Sequence, residues 1–292
     1  TRKTGITSPL CLLKRIAERL SLPPMSDLPE DPLVSAAWLA ERLDAPDIRV
    51  IDATWFMPND PRDAKALFAE RRIPGAIFFD IDEVADTSSD LPHMLPPPEK
   101  FASRMKKVGI GDGTRVIVYD NHGLMTAARV WWTFRVFGHE DVAVLDGGFP
   151  AWERAGYEIE TGPPRARMER HFTPRVRHDL VRNLADVQRA IDGGNRTAIL
   201  DARAAPRFKG EAPEPREGLR SGHMPGALNV PFQSLLNADG TMKSTEELGQ
   251  LFDRAGLKSP APPICSCGSG ITAAVIALAL ARTGRWDAAV YD

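Results

Sequence analysis

Cys267 sits in Ser266-Cys267-Gly268-Ser269-Gly270-Ile271-Thr272, between an apolar run ending in Ile264-Cys265 and an uncharged stretch from Ala273 to Ala281. The pattern predicts one thiol on a glycine-rich turn from strand to helix. A helix N-terminus leaves backbone N–H groups without intrahelical partners and carries the positive end of the macrodipole, so a cysteine there is biased toward the nucleophilic thiolate. Glycines at 268 and 270 let successive amides turn toward one point, as anion-binding nests do. The available chemistry is attack by sulfur. Taken alone, the loop also fits a buried, inert thiol beside a tight turn. Of the other two cysteines, Cys265 falls on the predicted strand and Cys11 in the N-terminal tail. Cys265 and Cys267 would make half of a metal site, but no second Cys/His pair accompanies them, so no metal and no organic cofactor is expected.

The elements that must position this loop recur along the chain with a spacing of about 150 residues. Val50-Ile51-Asp52-Ala53, Ile73-Pro74-Gly75-Ala76, Val116-Ile117-Val118-Tyr119-Asp120, Thr126-Ala127-Ala128 and Val144-Leu145-Asp146 are followed in the same order by Ile199-Leu200-Asp201-Ala202, Met224-Pro225-Gly226-Ala227, Ile264-Cys265-Ser266, Thr272-Ala273-Ala274 and Val290-Tyr291-Asp292. Short Val/Ile-rich runs alternate with helical patterns such as Pro98 to Val108 and Glu246 to Ala255. This predicts an α/β fold of two tandem domains, each a mainly parallel sheet flanked by helices. The expected division is an N-terminal domain over 25–160, a Pro-containing basic linker over 161–180 and a C-terminal domain over 181–292. Aligning Thr126 with Thr272 sets Asn121 opposite Cys267. The first copy therefore lacks the thiol and is expected to shape the site, with chemistry at the carboxyl ends of the second copy's strands.

Composition narrows the class. The chain has 292 residues, 43% of them hydrophobic, and a formal net charge of -2, which suits two globular domains and gives no nucleic-acid footprint. Its longest uncharged apolar stretch, Ile271 to Ala281, is well short of the roughly 20 residues a membrane span requires, so no membrane partner is expected. Three cysteines build no disulfide framework, which points to a reducing compartment, the cytoplasm or alternatively the mitochondrion. Residues 1–24 are rich in Lys and Arg and mildly amphipathic over Leu10 to Leu22, as a targeting presequence would be; they are expected to form a disordered extension, and Met25 would serve as a start.

From Asp31 to Asp292 the chain resembles the two-domain rhodanese-type sulfurtransferases. The likeness rests on the repeat and on Phe78-Phe79-Asp80-Ile81-Asp82, Leu91-Pro92-His93-Met94-Leu95-Pro96, Ala128-Arg129-Val130-Trp131-Trp132, Leu145-Asp146-Gly147-Gly148 and Gly222-His223-Met224-Pro225-Gly226. Within that family Cys-Gly-Ser-Gly-x-Thr resembles the 3-mercaptopyruvate sulfurtransferases, whereas thiosulfate-using relatives carry cations in the loop. Electrostatics supports the division: thiosulfate is a dianion, and this loop offers no charge. The resemblance implies that Cys267 takes sulfur from 3-mercaptopyruvate as a persulfide, releases pyruvate, and passes the sulfur to a thiol such as thioredoxin or to cyanide. It also implies that Ser269, His93 and Asp82 form a proton relay and that Arg207 and Arg216 hold the donor. Gly268, Gly270, Ile271 and Thr272 would border it. By analogy with Gly147 to Trp152, a further turn and helix would follow Asp292, so the second domain is expected to be truncated at its C-terminus.

Two rivals remain beside this reading. A cysteine phosphatase on a related fold would need an arginine where Ala273 stands. A rhodanese-like binding module with a spent site would not need Cys267, Arg207 and Arg216.

Overall fold

The computed structural model describes residues 31–57, 59–194, 196–215 and 218–292; the N-terminal extension with Cys11, and Arg216, lie outside them. Among the described residues the strands form two five-stranded sheets. One holds β1 (Leu33–Val34), β2 (Ile48–Asp52), β3 (Ile77–Phe78), β4 (Arg115–Tyr119) and β5 (Val142–Leu145) in the order β1-β5-β4-β2-β3. The other holds β6 (Val181–Arg182), β7 (Ile199–Asp201), β8 (Leu228–Asn229), β9 (Ile264–Ser266) and β10 (Ala289–Tyr291) in the order β6-β10-β9-β7-β8. Counted from its own first strand, each sheet has the same order, and all pairings within the sheets are parallel. Parallel strands need long crossovers, and the crossover helices cover the faces. That burial is why β5, Val-Ala-Val-Leu, is apolar at every position rather than at alternate ones.

Each central strand feeds a long helix, Met125–Val136 after β4 and Ile271–Arg282 after β9. Both helices are buried nearly all round, which fits a core element and not a surface one. They pack on each other, and one continuous core runs from Trp131, Trp132 and Phe134 to Val275, Leu278 and Leu280. The outer face of the first sheet carries its own cluster around Phe68, Phe149 and Trp152. Chain from 161 to 180 is strapped along the first sheet's side of the molecule: Arg167 Nη2 donates to Gly75 O (2.5 Å), Arg175 N to Phe137 O (2.8 Å) and Arg177 N to Val136 O (2.7 Å).

Strand register corrects one expectation. Asp52 lies opposite Tyr119 in the first sheet and Asp201 opposite Ser266 in the second, and Ala53 N and Ala202 N donate to Tyr119 O and Ser266 O at 2.8 Å each. Tyr119 is therefore the counterpart of Ser266, and Asp120, not Asn121, is the counterpart of Cys267. An ungapped alignment on the two threonines missed this because the first half has one residue more between strand and helix.

Candidate active site

Cys267 is the first residue after β9, and the helix begins at Ile271. Gly270 closes the turn at φ +74, a conformation that favours glycine, and a Cβ there would stand 2.5 Å from Arg129 Nη1, so a side chain would have to displace the buried guanidinium. Gly268 is different: its backbone is not left-handed, and an added Cβ would meet nothing nearer than Arg207 Nη2 at 3.5 Å. Cys267 is partly exposed, while Cys265 on β9 is fully buried. Burial pushes the Cys265 thiol far above the ordinary thiol range, which leaves Cys267 as the accessible sulfur of the two.

What the Cys267 turn offers is visible in its counterpart. In the first half the buried Asp120 carboxylate accepts from His122 N (3.0 Å) and Leu124 N (3.0 Å) through Oδ1, and from Thr126 N (2.7 Å), Ala127 N (2.8 Å) and Thr126 Oγ1 (3.2 Å) through Oδ2. Leu124 holds φ 85 to close that turn, a left-handed conformation unusual for leucine and matched by Gly270. In the first half the result is a nest that holds one anion, and the second half shares the left-handed closing residue. In the second half the helix-start counterparts of Leu124, Thr126 and Ala127 are Gly270, Thr272 and Ala273. Among the described residues no protein hydrogen bond takes up their N–H groups.

Asp82 and His93, 11 residues apart in sequence, meet: Asp82 Oδ1 is 3.0 Å from His93 Nδ1, close but off the line of an ideal N–H bond. Asp82 Oδ2 accepts from Trp55 Nε1 (2.8 Å), and the indole packs edge-on against the imidazole with ring centroids 4.9 Å apart. The His93 contact, with help from the indole, holds the Asp82 carboxyl below the usual carboxylate range. His93 is 8% exposed and sits at φ 61. Its carbonyl accepts from Arg129 Nη2 (2.5 Å), and Arg129 pairs at 2.5 Å with Asp292 Oδ1, whose other oxygen accepts from Leu95 N (2.8 Å). Arg129 thus touches both the His93 loop and Gly270, which sets the two loops side by side. Ser269 is half-buried on the Cys267 turn; among the described residues no hydrogen bond joins it to His93.

Arg207 lies on the short helix Ala205–Lys209, beside Gly268. It donates to Glu214 from Nη2 (2.5 Å) and from Nε (3.2 Å). Glu214 also accepts from Arg203 Nη1 (2.9 Å), and Arg203 is tied in turn to Asp201. Arg207 first, and Arg203 next, hold the Glu214 carboxyl below its ordinary range. Glu214 takes the Nε–Nη2 edge of Arg207, so the arrangement sets a guanidinium already paired on one edge next to the turn that carries the sulfur.

Residues 35–155 match the Rhodanese-like domain family. The chain is 40% identical over 269 residues to the 3-mercaptopyruvate sulfurtransferase of Homo sapiens, covering 89% of each. It is 38% identical over 282 residues to the mitochondrial thiosulfate/3-mercaptopyruvate sulfurtransferase 1 of Arabidopsis thaliana, covering 90% of this chain and 74% of that protein. This chain belongs to the rhodanese-type sulfurtransferases. The crystal structure of the 3-mercaptopyruvate sulfotransferase SseA from Escherichia coli, described by its rhodanese fold, superposes with a TM-score of 0.82 at 41% identity, covering 89% of this chain and 97% of that one.

For this rhodanese-type chain, sequence reasoning named the Cys267 turn, Asp82, His93 and Arg207, and the structure brings Asp82 to His93 and Arg207 to the turn. It missed Trp55, Arg203, Glu214 and the Arg129–Asp292 pair as neighbours of the site. Arg129 and Asp292 both stand in quoted segments, and Glu214 directly precedes Pro215-Arg216, but no local signal says what each faces.

Proposed function

We propose that this chain moves sulfur from 3-mercaptopyruvate through a Cys267 persulfide to a thiol acceptor such as reduced thioredoxin, or to cyanide, releasing pyruvate. The observation that carries the reading is an accessible thiol on a turn whose counterpart holds an anion, with two carboxylate-paired guanidiniums, Arg207 and Arg129, against that turn and no cation in the turn itself. Family membership supports it.

The Cys267 thiolate attacks the sulfur of 3-mercaptopyruvate. A new S–S bond forms, the donor's C–S bond breaks, and its electron pair leaves on the carbon fragment as the enolate of pyruvate, which then takes a proton at carbon. In the second half-reaction the acceptor thiolate attacks the outer sulfur, and the S–S electron pair returns to Cys267. This is covalent, ping-pong catalysis, with nest amides stabilising the anionic sulfur in both halves. Arg207 and Arg216 hold the donor's carboxylate and carbonyl. Ser269, His93 and Asp82 move the thiol proton or deliver the proton to the enolate; the Ser269 contact would form with donor in place, since such bonds tighten in the complex.

Residues 25–160 serve as a supporting domain, 161–180 as a linker and 181–292 as the domain that carries the reactive sulfur. A reducing compartment, cytoplasmic or mitochondrial, keeps Cys267 in service. Thiosulfate is the second donor reading, favoured by the Arabidopsis relative, whose name includes both donors.

Steady-state turnover with each donor tests the proposal: 3-mercaptopyruvate should give the higher kcat/KM, and equal or better use of thiosulfate would overturn the donor choice. Intact-mass analysis after donor treatment should find one added sulfur, lost in Cys267→Ser and kept in Cys265→Ser. His93→Ala and Ser269→Ala should lower kcat with 3-mercaptopyruvate by about 10²–10⁴, and thiosulfate turnover much less. Equal losses with both donors would assign these residues a structural role.

A further inference from the structure

The turn after β4, counterpart of the Cys267 turn, carries no sulfur, yet its side chains reach toward the relay. Asp120 fixes its backbone through five donors. From that fixed turn Asn121 Nδ2 donates to Thr54 Oγ1 (2.9 Å), and His122 Nε2, facing a carbonyl that only accepts, donates to Trp55 O (3.0 Å). Thr54 is itself bound to the buried Asp52. Trp55, held at its carbonyl by His122 and preceded by the anchored Thr54, aims Nε1 at Asp82 Oδ2 (2.8 Å) and lays its ring edge against His93 (4.9 Å between centroids).

We propose that Trp55 is a positioning residue for the Asp82–His93 pair and that the sulfur-free turn, through His122 and Asn121, is the mount that holds it. The inference rests on the relay reading given above. Asp82 needs such a mount because its side chain is 59% exposed and its contact with Nδ1 is off-line. A carboxylate held by one neighbour in water samples many rotamers; a second, rigid donor on its other oxygen removes that freedom. The indole also seals one side of His93 from solvent, which a smaller residue would not do. Arg62, Asp63, Lys65 and Asp80 line the same hollow.

Trp55→Phe tests this, since it keeps a ring against His93 and removes the N–H. With 3-mercaptopyruvate, kcat should fall about tenfold, the scale of one hydrogen bond to a charged group, with KM little changed. The acid limb of the kcat–pH profile should move to higher pH, because Asp82 loses a donor that favours its charged form; a purely structural defect would not move that limb. His122→Ala should give the same changes in milder form, and His122→Gln, which keeps a donor, should restore most of the rate. In the His93→Ala background Trp55→Phe should cost little more. If His93→Ala slows 3-mercaptopyruvate turnover while Trp55→Phe leaves both kcat and the pH profile unaltered, the positioning role is refuted and the relay stands. If His93→Ala is itself without effect, the relay reading fails first.

Discussion

Asp120 and Cys267 occupy the same place in two sheets of the same strand order: each is the first residue past the central strand, at the mouth of a turn closed by a left-handed residue. One half fills its nest with a permanent carboxylate. The other puts the thiol of Cys267 there. Asp120→Asn should therefore destabilise the protein by about 2–3 kcal/mol, since an amide group cannot accept through both ends and leaves buried N–H donors unpaired. Urea unfolding followed by tryptophan fluorescence measures it; unchanged stability would mean that the donors find other partners.

Arg207→Ala should cost about 1.5–3 kcal/mol in kcat/KM for 3-mercaptopyruvate, with little change in acceptor KM. The structure adds a refinement. Glu214, with 4% side-chain exposure, shares its charge between Arg203 and Arg207, so Glu214→Gln should loosen Arg207 and raise donor KM more than it lowers kcat. Identical donor kinetics in both variants would remove Arg207 from the donor's path.

Donor preference should respond to charge in the turn. Gly268 has ordinary backbone geometry and room for a side chain, and Ser269 is half-buried beside it. Gly268→Arg, which leaves Ser269 in place, should narrow the gap between 3-mercaptopyruvate and thiosulfate, because an added cation attracts the dianion more strongly. The comparison is the ratio of the two kcat/KM values. Gly270 is unsuitable for such a change, since any side chain there meets Arg129.

Asp52 sets a pH dependence of stability. Burial, opposed by hydrogen bonds from Thr54 and Tyr119, raises its carboxyl from 3.8 to about 6. Because the folded state holds this proton more tightly than the unfolded chain, the stability it contributes is complete below about pH 4 and is lost as pH rises through about 6. Asp52→Asn should abolish that slope and stabilise the protein at neutral pH by about 2–3 kcal/mol, at 1.36 kcal/mol per pKa unit. Thermal unfolding between pH 4 and pH 7 reads it directly; the same slope in the variant would place the titration elsewhere.

The sequence by itself determined the local features. Apolar Val/Ile runs marked the buried parallel strands, and glycines around Cys267 marked a strand-to-helix turn, because backbone conformation and burial are written in neighbouring residues. The repeat gave two α/β halves, and the family likeness supplied Asp82, His93 and Arg207. Tertiary structure alone decided which residues face one another. Asp120 replaced Asn121 as the counterpart of Cys267 because equivalence at a strand end is set by hydrogen-bond register, and an extra residue in a turn is invisible to an ungapped alignment. Trp55 meets Asp82 because β2 and β3 pair in parallel and release the chain at the same edge of one sheet, and Arg129 meets Asp292 because the two long helices pack the two halves together. Contacts of that kind depend on how surfaces pack, and no spacing along the chain encodes them.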